Sequence, residues 1–513
     1  MAIELIKESF KVEEKVGKND IQTLVEQEIY LSASKPDIEK VLWAQGKVDI
    51  LNTKLINDKL IINGLAKFNL LYKAANEAGE VHLLDLNKEF KEEIEIPGVN
   101  EEMLSKVYSK IEYIEWEAED RKLSLKALVS LWGEVDEIKT ITAIKGITND
   151  DKLQTLQEEI KYREIAGREI SYALVKDTIN LREDESEIDE VLGLNLNIKE
   201  IESMAVEDRI ITSAEVNFNL IYSGGNSVHS KKGNIPFNHF IEMIGVTEKL
   251  KGEVEFEVVE GSYEVMGNDL GERKSVDLEI KVRVMGKAYE EKSRELIIDC
   301  YSTTENIFLK REELLISENL KDITHMEKLN LEVPEIYAQD IIETMGTANL
   351  LEEKYIDDGI VVDGYLTVEA LYIDRLTNEL SVYKDDFPFR SEIDEMISYD
   401  TNYNVEVKLD SIEGVTRKDS LEIEGNILVK VNLSKERKIY CINEIQETGE
   451  LINKKDKPSI TIYIAQKDDS MWDIAKRYNT TIDEIITSNN LTSNEISTGD
   501  KIIIEKKVDS ISI

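Results

Sequence analysis

The chain contains little of what disulfide-bonded, metal-binding or histidine-dependent proteins need. Its 513 residues include only two cysteines, Cys300 and Cys441, and four histidines. Two cysteines near strand-like runs favour a reducing compartment and buried, reduced thiols over a disulfide framework. The histidines never stand at the spacing of metal ligands, so we predict no zinc site, no catalytic histidine and no cofactor. They are His82, His229, His239 and His325.

Positive charge and long apolar runs are also scarce. The chain has 63 Lys and Arg against 105 Asp and Glu, which gives a net charge of −42. This charge repels nucleic acid and anionic lipid and favours partners with a basic surface. No apolar run approaches the ~20 residues of a membrane-spanning helix. The segment Met1–Phe10 lacks the basic and apolar parts of a secretory signal, so we expect the protein to stay in the cytoplasm.

Catalytic motifs are missing as well. Ser223–Ser227 lacks the preceding strand and the spacing of a hydrolase nucleophile. Gly261–Gly271 lacks the lysine and the spacing of a phosphate-binding loop. Paired carboxylates carry no information in a chain this acidic. We therefore predict that the protein is not an enzyme.

What the sequence does contain is one line of residues repeated three times. Residues 58–72, 208–222 and 358–372 each begin with aspartate and end with tyrosine, at an interval of 150 residues. A unit of this length is a whole domain rather than a solenoid repeat. The sequence thus predicts three related domains in tandem, an arrangement that suits binding or scaffolding. They cover residues 1–148, 160–302 and 303–445.

Each repeated line alternates in polarity, as Ile62, Phe68 and Leu70 show in the first copy, which indicates a half-buried strand. A helix-like segment precedes each line, with a candidate N-cap and an early proline in the first copy. These segments are Ser34–Leu42, Glu185–Leu192 and Val333–Tyr337. Helical spacing in 149–162 predicts a connection between units. The predicted fold class is mainly β: a tandem array of three related β-rich, sandwich-like domains with short helices.

Three recurring features have both a structural and a functional interpretation. For the tyrosines at 72, 222 and 372 we favour packed rings over a repeated binding surface. Gly64 and Gly364 suit a close backbone approach, although the second copy has Ala214 there. A basic pair opens a later strand in each unit and is interpreted as a solvated turn, with contact to acidic patches of neighbouring copies as the alternative. The pairs are Arg121–Lys122, Arg273–Lys274 and Arg417–Lys418.

The character of the sequence changes after residue 445. Residues 446–458 are polar and predict a linker. Residues 459–507 predict a small βααβ domain, in which Asp469 or Ser470 caps the first helix and Thr480 or Thr481 caps the second. The predicted elements are a strand at 460–464, helices at 471–478 and 483–489, and a final strand that ends near residue 504.

This segment resembles a LysM domain through Tyr463–Ile464, Asp469–Tyr478, Thr481, Ile485, Asn489–Asn490 and Gly499–Ile504. LysM domains bind N-acetylglucosamine polymers through two loops, and the first loop favours glycine where this chain has Asp468. The side chain and charge of Asp468 crowd that groove, so we expect protein docking rather than sugar binding. Trp472 either stacks on a partner or covers the small core. The predicted partner-binding residues are Asp468, Ser470, Met471, Trp472, Ile485, Asn490, Leu491 and Ile496.

Three β-rich repeats joined to one C-terminal LysM module resemble the SipL-like spore-coat morphogenetic proteins, which are built on SPOCS domains. The resemblance covers the chain by its architecture. It implies a non-enzymatic adaptor in endospore coat assembly, in the mother-cell cytoplasm at the forespore surface and in the spore coat. Its LysM module is expected to bind a SpoIVA-like coat ATPase of the basement layer. Other coat proteins and further copies of the chain are expected partners, without nucleic acid or membrane insertion.

Two other functions remain open from the sequence. A peptidoglycan-binding protein of a phage tail or a cell wall would use the LysM domain to grip glycan. A hydrolase with a LysM anchor would need a catalytic domain, for which three related units leave no room.

Overall fold

The computed structural model describes residues 4–75, 80–148, 152–225, 227–268, 270–356, 358–453, 456 and 458–506. Repeat 1 consists of β1 Glu4–Tyr30, β2 Ile38–Ile56, β3 Lys59–Ala74, β4 Val81–Glu95, β5 Leu104–Glu119 and β6 Lys122–Thr148. Repeat 2 consists of β7 Leu153–Asn180, β8 Glu190–Val206, β9 Arg209–Gly224, β10 Ser227–Glu242, β11 Lys251–Met266 and β12 Ser275–Ser302. Repeat 3 consists of β13 Glu305–Pro334, β14 Ala338–Ile356, β15 Gly359–Asp374, β16 Leu380–Ile393, β17 Asn402–Thr416 and β18 Ser420–Leu451. The C-terminal module consists of β19 Ile460–Ile464, α1 Met471–Tyr478, α2 Ile482–Asn489 and β20 Lys501–Glu505.

Each repeat folds into two three-stranded antiparallel sheets. Their orders are β2-β3-β4 and β1-β6-β5 in the first repeat, β8-β9-β10 and β7-β12-β11 in the second, and β14-β15-β16 and β13-β18-β17 in the third. Inner faces of both sheets share one core, in which Leu60 and Phe68 of β3 join Leu125 and Val129 of β6. The prediction of three related β-rich domains in tandem, followed by a small βααβ domain, is thereby confirmed.

The prediction of a short helix before each repeated strand is wrong. Ser34–Leu42, Glu185–Leu192 and Val333–Tyr337 lie in turns and in strands β2, β8 and β13. In β2, bulges between Ile38 and Lys40 and between Val41 and Trp43 shift the register. Ile38 and Val41 are both buried, and their spacing of three residues imitates a helix although the backbone is extended.

Two predicted connections are also strands. From Leu153 onward the segment 149–162 belongs to β7, which pairs with β12 through a bulge between Ile297 and Asp299. Residues 149–151 lie outside the described ranges. The predicted linker at 446–458 begins inside β18, which continues to Leu451; residues 454, 455 and 457 are not described. The first and last strands of each repeat are therefore longer than the sequence suggested.

The recurring aspartate forms a turn rather than a binding surface. Asp58, Asp208 and Asp358 have φ values of 61°, 57° and 66°, a left-handed conformation that aspartate tolerates better than most residues. The carboxylate of Asp58 accepts a hydrogen bond from the backbone N–H of Gly98 at 2.7 Å, and that of Asp208 accepts one from Gly245 at 2.8 Å. The aspartate thus ties the hairpin to the segment after the next strand.

The recurring tyrosines are buried, as expected. Tyr72, Tyr222 and Tyr372 all lie in the interior, and the Tyr72 hydroxyl donates to the carbonyl of Pro36 at 3.3 Å. The Tyr72 and Tyr222 rings contact His82 and His229 with centroids 5.8 Å and 5.4 Å apart. These residues therefore stabilise each unit and are not available to line a surface.

The basic pairs bind within their own repeats. Arg121 donates to the carbonyl of Ser32 at 2.6 Å and forms an ion pair with Asp37. Lys274 donates to the carbonyl of Glu183 at 2.9 Å. These contacts favour the structural interpretation of the pairs as turn residues.

The three repeats meet in shared apolar clusters. One cluster joins Leu71, Ile221 and Leu371, which occupy the same position in each 150-residue unit. A second cluster joins residues from all three first strands, including Phe10 and Tyr162, whose ring centroids lie 5.0 Å apart. Because equivalent positions of all three repeats converge, the array closes around a common centre instead of extending as separate domains.

Both cysteines lie in such clusters as buried thiols outside any disulfide, as predicted. Burial raises the pKa of the Cys441 thiol to about 11. Because the thiolate is the reactive form, this thiol is held in an inert state.

Candidate binding module and its contact with the second repeat

Two capped helices build the C-terminal module. The Ser470 hydroxyl accepts a hydrogen bond from the backbone N–H of Asp473 at 3.1 Å, and Thr481 accepts one from Glu484 at 3.1 Å. The carboxylates of Asp473 and Glu484 in turn accept hydrogen bonds from the backbone N–H groups of Ser470 and Thr481. Each helix therefore begins with a capping box. Asn479 and Asn490 end the helices in the left-handed conformation.

The two helices pack on one face of the two-stranded sheet formed by β19 and β20. Ile474, Ala475 and Ile502 form a core with Met471 and Ile485. The last two side chains are about as buried as the rest of this core, so the role that the structure gives them is to fill it. A module this small uses Met471 and Ile485 to exclude water from its own centre, and their assignment to the partner-binding residues stays a prediction.

Trp472 lies between the module and the second repeat. Its ring meets the Tyr301 ring of β12 edge to face at a centroid distance of 4.9 Å. Its indole N–H donates to the Asp299 carboxylate at 2.8 Å. The Tyr301 hydroxyl in turn donates to the carbonyl of Thr480 at 2.7 Å. Of the two roles open from the sequence, Trp472 therefore covers a core, and that core is shared with repeat 2.

Asp299 is the charged centre of this contact. It accepts hydrogen bonds from Lys476 of the module at 2.6 Å and 2.7 Å and from Arg311 of the third repeat at 2.6 Å. Burial alone would raise the pKa of Asp299, but the bonds from Lys476 and Trp472 outweigh it and hold the pKa below its usual value. The carboxylate is thus ionised where it fixes the module.

The remaining predicted residues lie in two segments of the module, one just before α1 at residues 468 and 470 and one after α2 at residues 490, 491 and 496. Asp468 is exposed with φ 70°, a backbone position that glycine would occupy without strain. Ser470 is the N-cap of α1, and Asn490 is the exposed C-cap of α2. Leu491 and Ile496 are half-buried against the module core. Ser470, Asn490, Leu491 and Ile496 therefore have structural roles, and Asp468 alone is free of one.

A surface that the sequence did not lead us to expect lies on the outer face of the β19–β20 sheet. Ile460, Ile462 and Ile464 of β19 are 59%, 66% and 51% exposed, and Ile503 of β20 is 37% exposed. Ile462 and Ile503 face each other across the two strands. We call these four residues the isoleucine face. The alternation Ile-Thr-Ile-Tyr-Ile at 460–464 was its signal in the sequence, since the module's helices can cover only one side of a two-stranded sheet.

These features define a class of protein: a closed array of β domains that carries a small binding module on its surface. A family model described as SipL, SPOCS domain matches residues 37–119, 187–266 and 338–417, and a LysM domain model matches residues 463–505. The chain is therefore SipL-like, with three SPOCS domains and a C-terminal LysM domain. Each SPOCS match spans the second to fifth strands of one repeat. No curated protein and no solved structure gave a significant match.

Both kinds of domain are non-catalytic binding domains, and together they support a sporulation-related adaptor that binds protein or peptidoglycan. Neither helix of the described residues is long and apolar enough to cross a membrane. The described part of the chain contains no group of three or more His, Cys, Asp or Glu side chains placed to hold a metal ion.

Proposed function

We propose that the protein is an adaptor in endospore coat assembly that binds a SpoIVA-like coat ATPase through its LysM domain. It would act in the mother-cell cytoplasm at the forespore surface and recruit other coat proteins through the SPOCS array. The observation that carries this proposal is the isoleucine face. Four large apolar side chains on one sheet face favour a protein partner, because exposed apolar patches in small domains commonly mark protein contacts.

The position of the module supports the same function. Trp472, Lys476 and Thr480 hold the side of the module that contacts repeat 2. The isoleucine face is on the sheet side that the module's own helices leave uncovered. A module fixed in this way presents its apolar surface at a constant orientation to the array, which suits a link between two layers.

Peptidoglycan binding is the second candidate, favoured by the match to the LysM family and by the exposed Asp468 loop. It is the weaker of the two because an anionic side chain stands at a position where sugar binding needs close backbone approach. The variant Asp468→Gly removes both the charge and the strained φ. If glycan were the ligand, this variant would pellet with purified peptidoglycan at least as strongly as the wild type.

The test measures binding of the full-length chain to a purified SpoIVA-like ATPase. We expect Ile462→Arg to weaken binding by at least about tenfold, the equivalent of ~1.4 kcal/mol, because it places a charge in the centre of the isoleucine face. The matched control is Ile244→Arg, at a residue of repeat 2 that is 94% exposed. It should bind as the wild type does. Unchanged binding by Ile462→Arg would overturn the docking face, and peptidoglycan pelleting without ATPase binding would overturn the function.

A further inference from the structure

A second apolar surface lies on repeat 2, far along the chain from the LysM domain. Ile170, Tyr172 and Leu174 of β7 are 58%, 55% and 56% exposed. They alternate with Ala173 and Val175, which are buried in the core of the repeat. We call the three exposed residues the β7 stripe.

The stripe is not required by the SPOCS fold. Ile29 of β1, Ile179 of β7 and Val333 of β13 pair with equivalent residues of their central strands. Counted from these anchors, the positions of the stripe are polar or mixed in the other repeats. They are Asp20, Gln22 and Leu24 in repeat 1 and Thr324, Met326 and Lys328 in repeat 3. The apolar side chains of repeat 2 therefore have a role other than folding.

A cation lies on the stripe without forming an ion pair in the described residues, although Glu260 of β11 is its cross-strand neighbour. The Lys281 ammonium group is 5.1 Å from the centre of the Tyr172 ring, and Lys281 faces Leu174 across the sheet. Among the residues that the structure describes, no carboxylate lies within ion-pair distance of Lys281. An apolar strip with one free cation fits a partner segment that is apolar and acidic.

The chain itself presents such a segment on β5. Tyr113 is exposed and is followed on the same side by Glu115, Glu117 and Glu119. None of the three glutamates has an ion-pair partner within the described ranges. The lysines that face Glu115 and Glu119, Lys126 and Lys122, bind Glu26 and Glu28 of β1 instead.

Both strands are sheet edges. In the described residues the backbone of β7 pairs with β12 alone and that of β5 with β6 alone. A free edge offers unpaired backbone groups to a strand of another molecule. Because the two edges belong to different repeats, their pairing between copies joins unlike surfaces, and a contact of unlike surfaces repeats from one copy to the next.

We propose that the protein self-associates head to tail, with the β7 stripe of one copy bound to strand β5 of the next. A contact between two strand edges is small, so a single one is weak and depends on protein concentration. Its ionic part, Lys281 against the glutamates of β5, weakens as salt shortens the Debye length from ~10 Å at 0.1 M to ~3 Å at 1 M.

The first experiment measures the mass of the full-length protein by sedimentation over a wide concentration range. We expect the mean mass to rise above the 58.7 kDa of one chain and to fall back in 1 M salt. The variant Lys281→Glu and the double variant Glu115→Lys, Glu117→Lys should each remain at one chain. The matched controls are Lys249→Glu and the double variant Glu101→Lys, Glu102→Lys, which change exposed turn residues and should associate as the wild type does.

A mixture of the two disrupted variants gives the decisive result. The stripe variant in this mixture is Lys281→Ala instead of Lys281→Glu, because a glutamate at 281 would attract the new lysines of β5 and restore the contact with reversed charges. One partner then retains a wild-type β5 and the other a wild-type β7 stripe, so together they form one intact contact and no more. We expect a 1:1 dimer that does not grow with concentration. If the wild-type protein has the mass of one chain at every concentration, the proposal is overturned, and the stripe would have to bind a different partner. Association that persists in Lys281→Glu would overturn the assignment of the surface.

Discussion

At the scale of single residues, one carboxylate decides where the LysM domain sits. Asp299 accepts bonds from Trp472 and Lys476 of the module and from Arg311 of repeat 3, and its side chain is only 17% exposed. Charge-assisted bonds that are shielded from water are stronger than those between fully exposed ions. The surrounding Tyr301 and Trp472 rings supply that shielding.

Replacing Asp299 should release the module from repeat 2. Asp299→Ala leaves Lys476 and the Trp472 indole without their acceptor, so we expect the docked form to lose about 2–3 kcal/mol. Limited proteolysis between residues 446 and 459 should become faster, while the isolated repeats resist as before. Asp410→Ala, at an exposed residue of β17, is the control. Equal cleavage rates for Asp299→Ala and the wild type would show that the contact does not hold the module.

Acid should release the module through the same carboxylate. The pKa of Asp299 is below its usual value near 3.8 in the folded state, since the bonds from Lys476 and Trp472 outweigh burial. A group with a lowered folded pKa stabilises fully above its unfolded pKa and loses this contribution as pH falls through the folded value. Tryptophan fluorescence should therefore show a transition below about pH 4 in the wild type. The transition should be absent in Asp299→Asn, and identical titrations would contradict this assignment.

The glycine of the repeated line has a steric role that differs between copies. A Cβ at Gly364 would lie 2.4 Å from the Asn349 carbonyl oxygen and 2.5 Å from Phe389 Cζ. In repeat 2 the equivalent Ala214 faces Phe237, whose ring packs instead on Phe256 at 6.1 Å. The second copy therefore accommodates a methyl group by placing its phenylalanine elsewhere.

Gly364→Ala should accordingly destabilise repeat 3. We expect a loss of about 1–3 kcal/mol, because a backbone carbonyl cannot move aside as a side chain can. The control is Gly146→Ala, where the nearest atom to the new Cβ is 3.6 Å away. Denaturant midpoints of both variants measure the difference, and equal midpoints would rule out the steric role.

At the scale of elements, the sequence predicted structure that depends on neighbouring residues and did not predict contacts between distant ones. The strands β3, β9 and β15 alternate strictly and were predicted, as were α1 and α2, whose caps are encoded within three residues. The segment Ser34–Leu42 was mistaken for a helix because bulges in β2 interrupt the alternation, whereas Glu185–Leu192 and Val333–Tyr337 lie mostly between strands. The hydrogen bond between Trp472 and Asp299 joins residues 173 positions apart. A contact over that distance cannot be predicted from a local sequence pattern.

The cap of α1 allows a structural role to be separated from a binding role at Ser470. Ser470→Ala removes the acceptor for the Asp473 N–H and should cost about 1 kcal/mol of helix stability. Ser470→Asp should preserve it, because aspartate caps helices equally well. Hydrogen exchange in α1 should therefore speed up in the first variant and not in the second. Equal exchange in both, together with lost ATPase binding, would instead make Ser470 a contact residue.

At the scale of the whole molecule, the duplicated unit has become part of a closed array. Family matches cover the second to fifth strands of each repeat, whereas the first and last strands extend beyond them. Those extensions carry Phe10, Tyr162, Leu314 and Cys441 into one shared cluster. The matched strands thus supply one whole sheet and one edge strand of the second, and the first and last strands both complete the sandwich and supply the contacts between copies.

Closure of the array predicts that damage at one shared position spreads to all three repeats. Ile221 is fully buried beside Leu71 and Leu371, so Ile221→Ala should cost about 2–4 kcal/mol and should loosen its neighbours as well as its own repeat. Hydrogen exchange should then speed up in β3 and β15 together with β9. Val282→Ala, inside the core of repeat 2 alone, should speed exchange mainly in repeat 2. If Ile221→Ala speeds exchange in repeat 2 alone, the repeats are energetically separate domains. The LysM domain would then be attached to one of three independent units.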